Sequence, residues 1–119
     1  ITRLTGISDE MVKQAPIFSE ISGSFREFVG EAVFVAHNAS FDYGFIRDEY
    51  RRLGENFRRP TLCTVVTMRR FFPGLPSYSL AGLTKHFGIP LETHHRALCD
   101  AQATAGLLQL INGKRVPRV

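Results

Sequence analysis

An apolar run of strand length, Ala32-Val33-Phe34-Val35-Ala36, ends in the polar cluster His37-Asn38-Ala39-Ser40-Phe41-Asp42-Tyr43-Gly44-Phe45. Phe41, Phe45, Ile46, Tyr50 and Leu53 then recur at roughly helical spacing, so a buried strand over 32–36 is predicted to turn directly into a helix. That junction confines the chain to folds in which helices cover a sheet. It also places the polar cluster at a strand's carboxyl end, where open α/β sheets bind ligands. Asn38 or Ser40 can cap the helix, and Asp42 falls in or near its first turn. A carboxylate there either settles the helix dipole or holds a cation.

The rest of the chain is punctuated by caps and breakers. Ser8 is predicted to cap a short helix with Asp9 and Glu10 in its first turn, interrupted by Pro16. Pro16 suits the start of a second helix, with Ile17, Ile21, Phe25, Phe28 and Val29 on one face and Gly30 at its end. Gly54 should stop the helix after the polar cluster. Thr61 to Val66 reads as a second buried strand, or as a shorter strand running into a helix through Met68 and Phe71. Pro73-Gly74-Leu75-Pro76 is a turn. Ser79 can cap a helix carrying Leu80, Leu83, Thr84 and Phe87, which Gly88 and Pro90 terminate. A last helix, from about Ala97 to Ile111, is expected to bury Ala97, Ala101, Ala105 and Leu108. Residues 1–112 thus form one domain, and 113–119 a basic tail.

With 119 residues there is no room for a second domain, and 44% hydrophobic content against 22% charged is that of a soluble globular protein. No apolar run reaches the length of a membrane span, and no signal sequence opens the chain. Cys63 and Cys99 lack a C-x-x-C pairing, which points to reduced thiols in a cytoplasmic protein and away from a zinc site. The net charge is +4, with Arg47, Arg51, Arg52, Arg58, Arg59, Arg69 and Arg70 supplying much of the excess. Such a surface attracts phosphate-bearing partners, although a solvated helical face and its loop is the commoner reading of arginine runs.

A second polar cluster is His94-His95-Arg96-Ala97-Leu98-Cys99-Asp100-Ala101-Gln102. Within one helix, His95 and Asp100 would stand about 140° apart. They aim at one point only if His95 lies in the turn before the helix and Asp100 one turn inside it. A surface histidine and an exposed helical acid are the simpler readings of each residue alone. The count of elements is uneven, with five or six helices against two convincing strands. Two short strands, apolar throughout, rarely make a self-sufficient sheet, so further strands are expected to pair with them.

Taken together, the clusters resemble the DEDDh exonucleases, the family that includes the proofreading epsilon subunit of bacterial DNA polymerase III. His37-Asn38-x-x-Phe41-Asp42 followed by Phe45 is similar to that family's second exonuclease motif, and His95-x-x-x-x-Asp100 to its third. Leu4-Thr5-Gly6-Ile7 resembles the turn that touches the terminal nucleotide, and Ser77-Tyr78-Ser79-Leu80 the lead into the helix before motif three. The family's first motif, Asp-x-Glu, has no counterpart among the acids before Asp42. The resemblance implies the C-terminal portion of an α/β, RNase H-like exonuclease fold, without the three N-terminal strands that carry the first motif. The strand at 32–36 should then neighbour the absent first strand.

The resemblance also implies a mechanism, hydrolysis of a phosphodiester by two Mg²⁺ or Mn²⁺ ions. Asp42 and Asp100 would be metal ligands and His95 the general base. Leu4, Thr5, Gly6 and Phe41 would contact the terminal nucleotide, while His37 and Asn38 would position the motif or touch the nucleotide. The expected substrate is a single-stranded DNA 3′ end, with a DNA polymerase subunit as partner and no membrane. RNA is the alternative substrate within the same family. The alternative from another class is a non-catalytic module that binds nucleic acid or a polymerase. With half its carboxylates missing, the 119-residue chain alone is expected to have little or no activity.

Overall fold

The structure, a computed structural model, describes residues 8–91 and 97–115. The Leu4 to Ile7 turn and His95 therefore lie outside the described residues. The elements are α1 (Asp9–Gln14), α2 (Phe18–Val29), β1 (Phe34–Ala36), α3 (Ala39–Arg52), β2 (Thr61–Cys63), α4 (Thr64–Phe71), α5 (Leu80–Phe87) and α6 (Ala97–Arg115). β1 and β2 pair in parallel with Phe34 opposite Thr61, Val35 opposite Leu62 and Ala36 opposite Cys63. The second strand takes the shorter of its two readings, giving way to helix at Thr64. Among the described residues no helix is long and apolar enough to cross a membrane.

Local chemistry sets most boundaries. Ser8 Oγ accepts the Met11 N–H at 3.3 Å and starts α1, and Ser79 Oγ accepts the Gly82 N–H at 3.0 Å and starts α5. Gly54 and Gly88, with φ of 76° and 70°, turn the chain out of α3 and α5 in the left-handed region. Pro16 stands before α2 rather than inside it, because Ile17 is the N-cap residue, its N–H held by the Glu20 carboxylate at 3.3 Å. α6 continues to Arg115, past the expected end near Ile111.

Two apolar packs hold these elements. One is aromatic: Tyr50 of α3 stacks on Phe57, ring centroids 5.0 Å apart, and Phe18 meets Tyr50 edge-on at the same separation. Phe25 closes on Phe57, and the Arg26 guanidinium lies 4.6 Å from the Tyr50 ring centroid. The other pack joins α4, α5 and α6 through the fully buried Met68, Leu83, Leu107 and Ile111. Leu83 and Thr84 are buried as the sequence implies.

Three helix faces differ from expectation. In α2 the inward residues are Phe18, which meets Tyr50 of α3, and Phe25, which meets Phe57 in the loop beyond α3, while Ile17, Ile21 and Phe28 are exposed. In α3 Tyr50 is buried but Phe41, Phe45 and Leu53 are exposed. In α6 the buried stripe is Ala103, Thr104, Leu107 and Ile111, whereas Ala97, Ala101 and Ala105 face outward. α6 makes a close approach at Gly106, where a Cβ would stand 3.1 Å from Ile89 Cγ2.

Candidate functional site

β1 delivers His37 and Asn38 to the corner before α3. Asn38 occupies the N-cap position in the left-handed region, φ 73° and ψ 60°, which asparagine tolerates better than most residues. Its side chain makes no capping hydrogen bond, so neither expected cap of α3 is realised. The turn brings Asp42 into the first turn of α3, exposed and, among the described residues, in no ion pair. Burial by the surrounding protein pushes its carboxyl above the ordinary carboxylate range. Phe41 and Phe45 flank it as an exposed edge-to-face pair, centroids 4.9 Å apart.

The parallel register sets the end of β2 beside this corner. Burial alone would push the Cys63 thiol up. Four backbone N–H groups, from Val66, Ala39, Asn38 and Val65, outweigh it and hold the thiol below its ordinary value. The next residue, Thr64, is fully buried, with its Oγ1 2.7 Å from His37 Nδ1. The other ring nitrogen, Nε2, lies 2.8 Å from the Tyr78 carbonyl oxygen. Burial lowers the His37 pKa, partly opposed by that carbonyl. Tyr78 is itself fixed, its hydroxyl donating to Phe72 O at 2.8 Å and accepting the Leu75 N–H at 3.2 Å. In the sequence Thr64 draws no notice and Cys63 is marked only as a reduced thiol; the register that sets Cys63 opposite Ala36 brings both to this corner.

Asp100 is half-buried in the first turn of α6. It heads the inward stripe that continues through Ala103, Thr104, Leu107 and Ile111, at spacings of three and four residues. Its backbone carbonyl accepts the Thr104 hydroxyl at 2.8 Å. α6 packs on α4 and α5 and touches β1, so the helix that bears Asp100 contacts the strand that leads to Asp42. Both carry hard oxygen donors of the kind that divalent cations take. Among the described residues no group of three His, Cys, Asp or Glu could hold a metal, so the two aspartates are at most part of a ligand set.

The arginines are engaged largely close at hand. Arg47 and Arg51 approach Asp48 at 3.9 and 3.5 Å, and Arg52 approaches Glu49 at 3.0 Å. Arg59 donates to the carbonyls of Ala32 and Glu31, fastening the lead into β1. Arg69 lies over the Tyr78 ring, its Cζ 5.3 Å from the centroid.

Comparison with known proteins identifies the family. The exonuclease family model matches residues 1–108. The DNA polymerase III PolC-type protein of Clostridium perfringens is 45% identical over 109 residues, 92% of this chain and 8% of that protein. The corresponding protein of Bacillus subtilis is 42% identical over 110 residues, 91% of this chain and 8% of that one. The chain thus spans under a tenth of these relatives' length. The solved structure of Exonuclease X in complex with 5′ overhanging duplex DNA superimposes with a TM-score of 0.71 and 31% identity, over 98% of this chain and 66% of that one. A parallel strand pair, the two aspartate-bearing helices beside it and a family match over nine-tenths of the sequence lead to one conclusion: the chain belongs to the exonuclease family.

Proposed function

We propose that the protein containing this chain is a metal-dependent 3′–5′ exonuclease of the DEDDh type, acting on DNA ends during polymerase proofreading. One observation carries the reading. Asp100 stands on the inward face of a helix that touches β1, the strand whose end leads into Asp42. Two carboxylates distant in sequence thereby stand on helices that both adjoin β1. Asp42 and Asp100 would hold divalent cations of the Mg²⁺ or Mn²⁺ class, together with carboxylates of an Asp-x-Glu motif outside these 119 residues. When bound, such ions neutralise the scissile phosphate and lower the pKa of the attacking water. His95 takes the proton from that water, a task suited to an imidazole titrating near neutrality. Phe41, whose ring is exposed, and the Leu4-Thr5-Gly6 stretch would pack on the terminal base and sugar, and Asn38 would position the motif or contact the nucleotide. The fold is RNase H-like, with further strands on the open side of β1.

The test is digestion of 5′-labelled single-stranded DNA by the full-length protein with Mg²⁺ or Mn²⁺. Stepwise shortening from the 3′ end is expected, lost in D42A, D100A and H95A. An intact substrate with the unaltered protein would favour a module that binds without cutting, and preferential digestion of RNA would move the substrate to the other nucleic acid. The 119-residue chain alone, lacking Asp-x-Glu, should release little or no mononucleotide even with Mn²⁺.

A further inference from the structure

Asp42 and Asp100 sit on different apolar packs. α3 is anchored by Tyr50 on Phe57, while α6 is anchored by Leu107 and Ile111 with Met68 and Leu83. Besides the short ladder of β1 and β2 and the touch of α6 on β1, His37 binds one pack to the other. Its partners belong to two further segments, Thr64 at the start of α4 and Tyr78 just before α5.

The bond directions follow from the groups. A carbonyl only accepts, so His37 Nε2 carries a proton and donates to Tyr78 O. In the neutral ring Nδ1 then accepts from the Thr64 hydroxyl, at 2.7 Å a shorter contact than the 3.3 Å from that hydroxyl to Ala36 O. Both ring nitrogens are therefore occupied inside the protein. A nucleotide would have to displace one of these bonds to hydrogen-bond to the imidazole.

We propose that His37 is a positioning residue. Through Thr64 and Tyr78 it fixes the end of β1, and so the first turn of α3, where Asp42 can share cations with Asp100. The inference rests on the nuclease reading above and removes His37 from the nucleotide-contacting set. Groups that orient metal ligands typically alter metal affinity or activity by about 10–100-fold when removed.

Full-length H37A and T64V, with H37Q and T64S as variants that can retain hydrogen bonds, test it. Mn²⁺ binding is followed by the electron paramagnetic resonance of the free ion, and kcat and KM are measured on single-stranded DNA. Folded fractions come from thermal melts. In folded H37A and T64V, Mn²⁺ affinity and kcat should fall by about 10-fold or more, with KM for DNA changing less than about threefold. T64S should restore both, and H37Q, which keeps a donor for Tyr78 O, should recover part. If H37A raises KM at unchanged kcat and T64V is silent, His37 touches substrate and the proposal falls. It also falls if both variants melt earlier yet bind Mn²⁺ and turn over as the unaltered protein does. Should the unaltered protein cut nothing while T64V still weakens Mn²⁺ binding, the nuclease reading fails and the positioning role stands. Mn²⁺ binding by the unaltered protein that T64V leaves unchanged overturns the role whatever the activity.

Discussion

Asp100 and Leu107 lie two helical turns apart on one face of α6, the first half-buried at the open end of the stripe and the second wholly inside the core. The packing that seats Leu107 against Met68, Leu83 and Ile111 therefore also aims the carboxylate. Leu107→Ala should cost about 2–5 kcal/mol of unfolding free energy, since it opens a cavity in a closed pack. In the full-length protein, nuclease activity per folded molecule should fall as well. Ala101→Ser, on the outer face of the same helix, should stay within about 0.5 kcal/mol and leave turnover unchanged. Urea melts paired with turnover assays check both.

Asp42→Asn should make the cation-free protein more stable at neutral pH while removing activity. Burial raises the Asp42 pKa above its unfolded value, so the native state binds more protons across the carboxylate range and loses stability as pH rises through it. Above that range the ionised group is a standing penalty, which the amide lacks. The advantage of D42N should shrink as pH falls towards the unfolded carboxylate pKa. Added Mg²⁺ should raise the melting temperature of the unaltered full-length protein and leave D42N nearly unmoved. Thermal melts across pH, with and without the ion, supply the comparison.

His37 has the opposite dependence. Its pKa is lowered by burial, so as pH drops below about 6.5 the unfolded chain takes up a proton before the native state does. Stability should decline from that point until the pH reaches the lowered native value. Replacing the imidazole in H37Q should flatten this part of the stability profile, whatever its effect at pH 8. Chemical denaturation at half-unit pH steps measures the slope.

Tyr50 stacks on Phe57 and ties α3 to α2 twice, by its ring against Phe18 and by its hydroxyl, which donates to the Ser22 carbonyl. Tyr50→Phe keeps the ring contacts and leaves that carbonyl without this donor, a cost of about 1 kcal/mol. Tyr50→Ala should cost about 3–5 kcal/mol, because the aromatic pack loses its central ring. Equilibrium unfolding of the two variants separates the polar contribution from the apolar one.

Much of this architecture was readable from local punctuation. Ser8, Ser79, Gly54 and Gly88 mark boundaries through interactions within a few residues of themselves. The strand tip before Asp42 was legible because five apolar residues run straight into a polar cluster. Helix faces were less so. α2 has two apolar stripes, and only the position of Tyr50 and Phe57 decides that Phe18 and Phe25 turn inward while Ile21 and Phe28 do not. α6 misled in the same way, its regularly spaced alanines lying outside while Ala103 and Thr104 meet the core. The bonds of His37 reach 27 and 41 residues along the chain, a pairing that no periodicity encodes. The two aspartates were found through motif resemblance, since each alone reads as an ordinary helical acid.

The alternation of β1 has a consequence for amide exchange. Phe34 donates its N–H to Pro60 O at 2.8 Å, so Phe34 and Ala36 direct their main-chain groups at β2, and Val35 directs its own the other way. Among the described residues no strand lies on that side. In deuterated water the Val35 amide of this chain should exchange quickly between two slow neighbours. In the full-length protein, a further strand bound along that edge would slow it to match them.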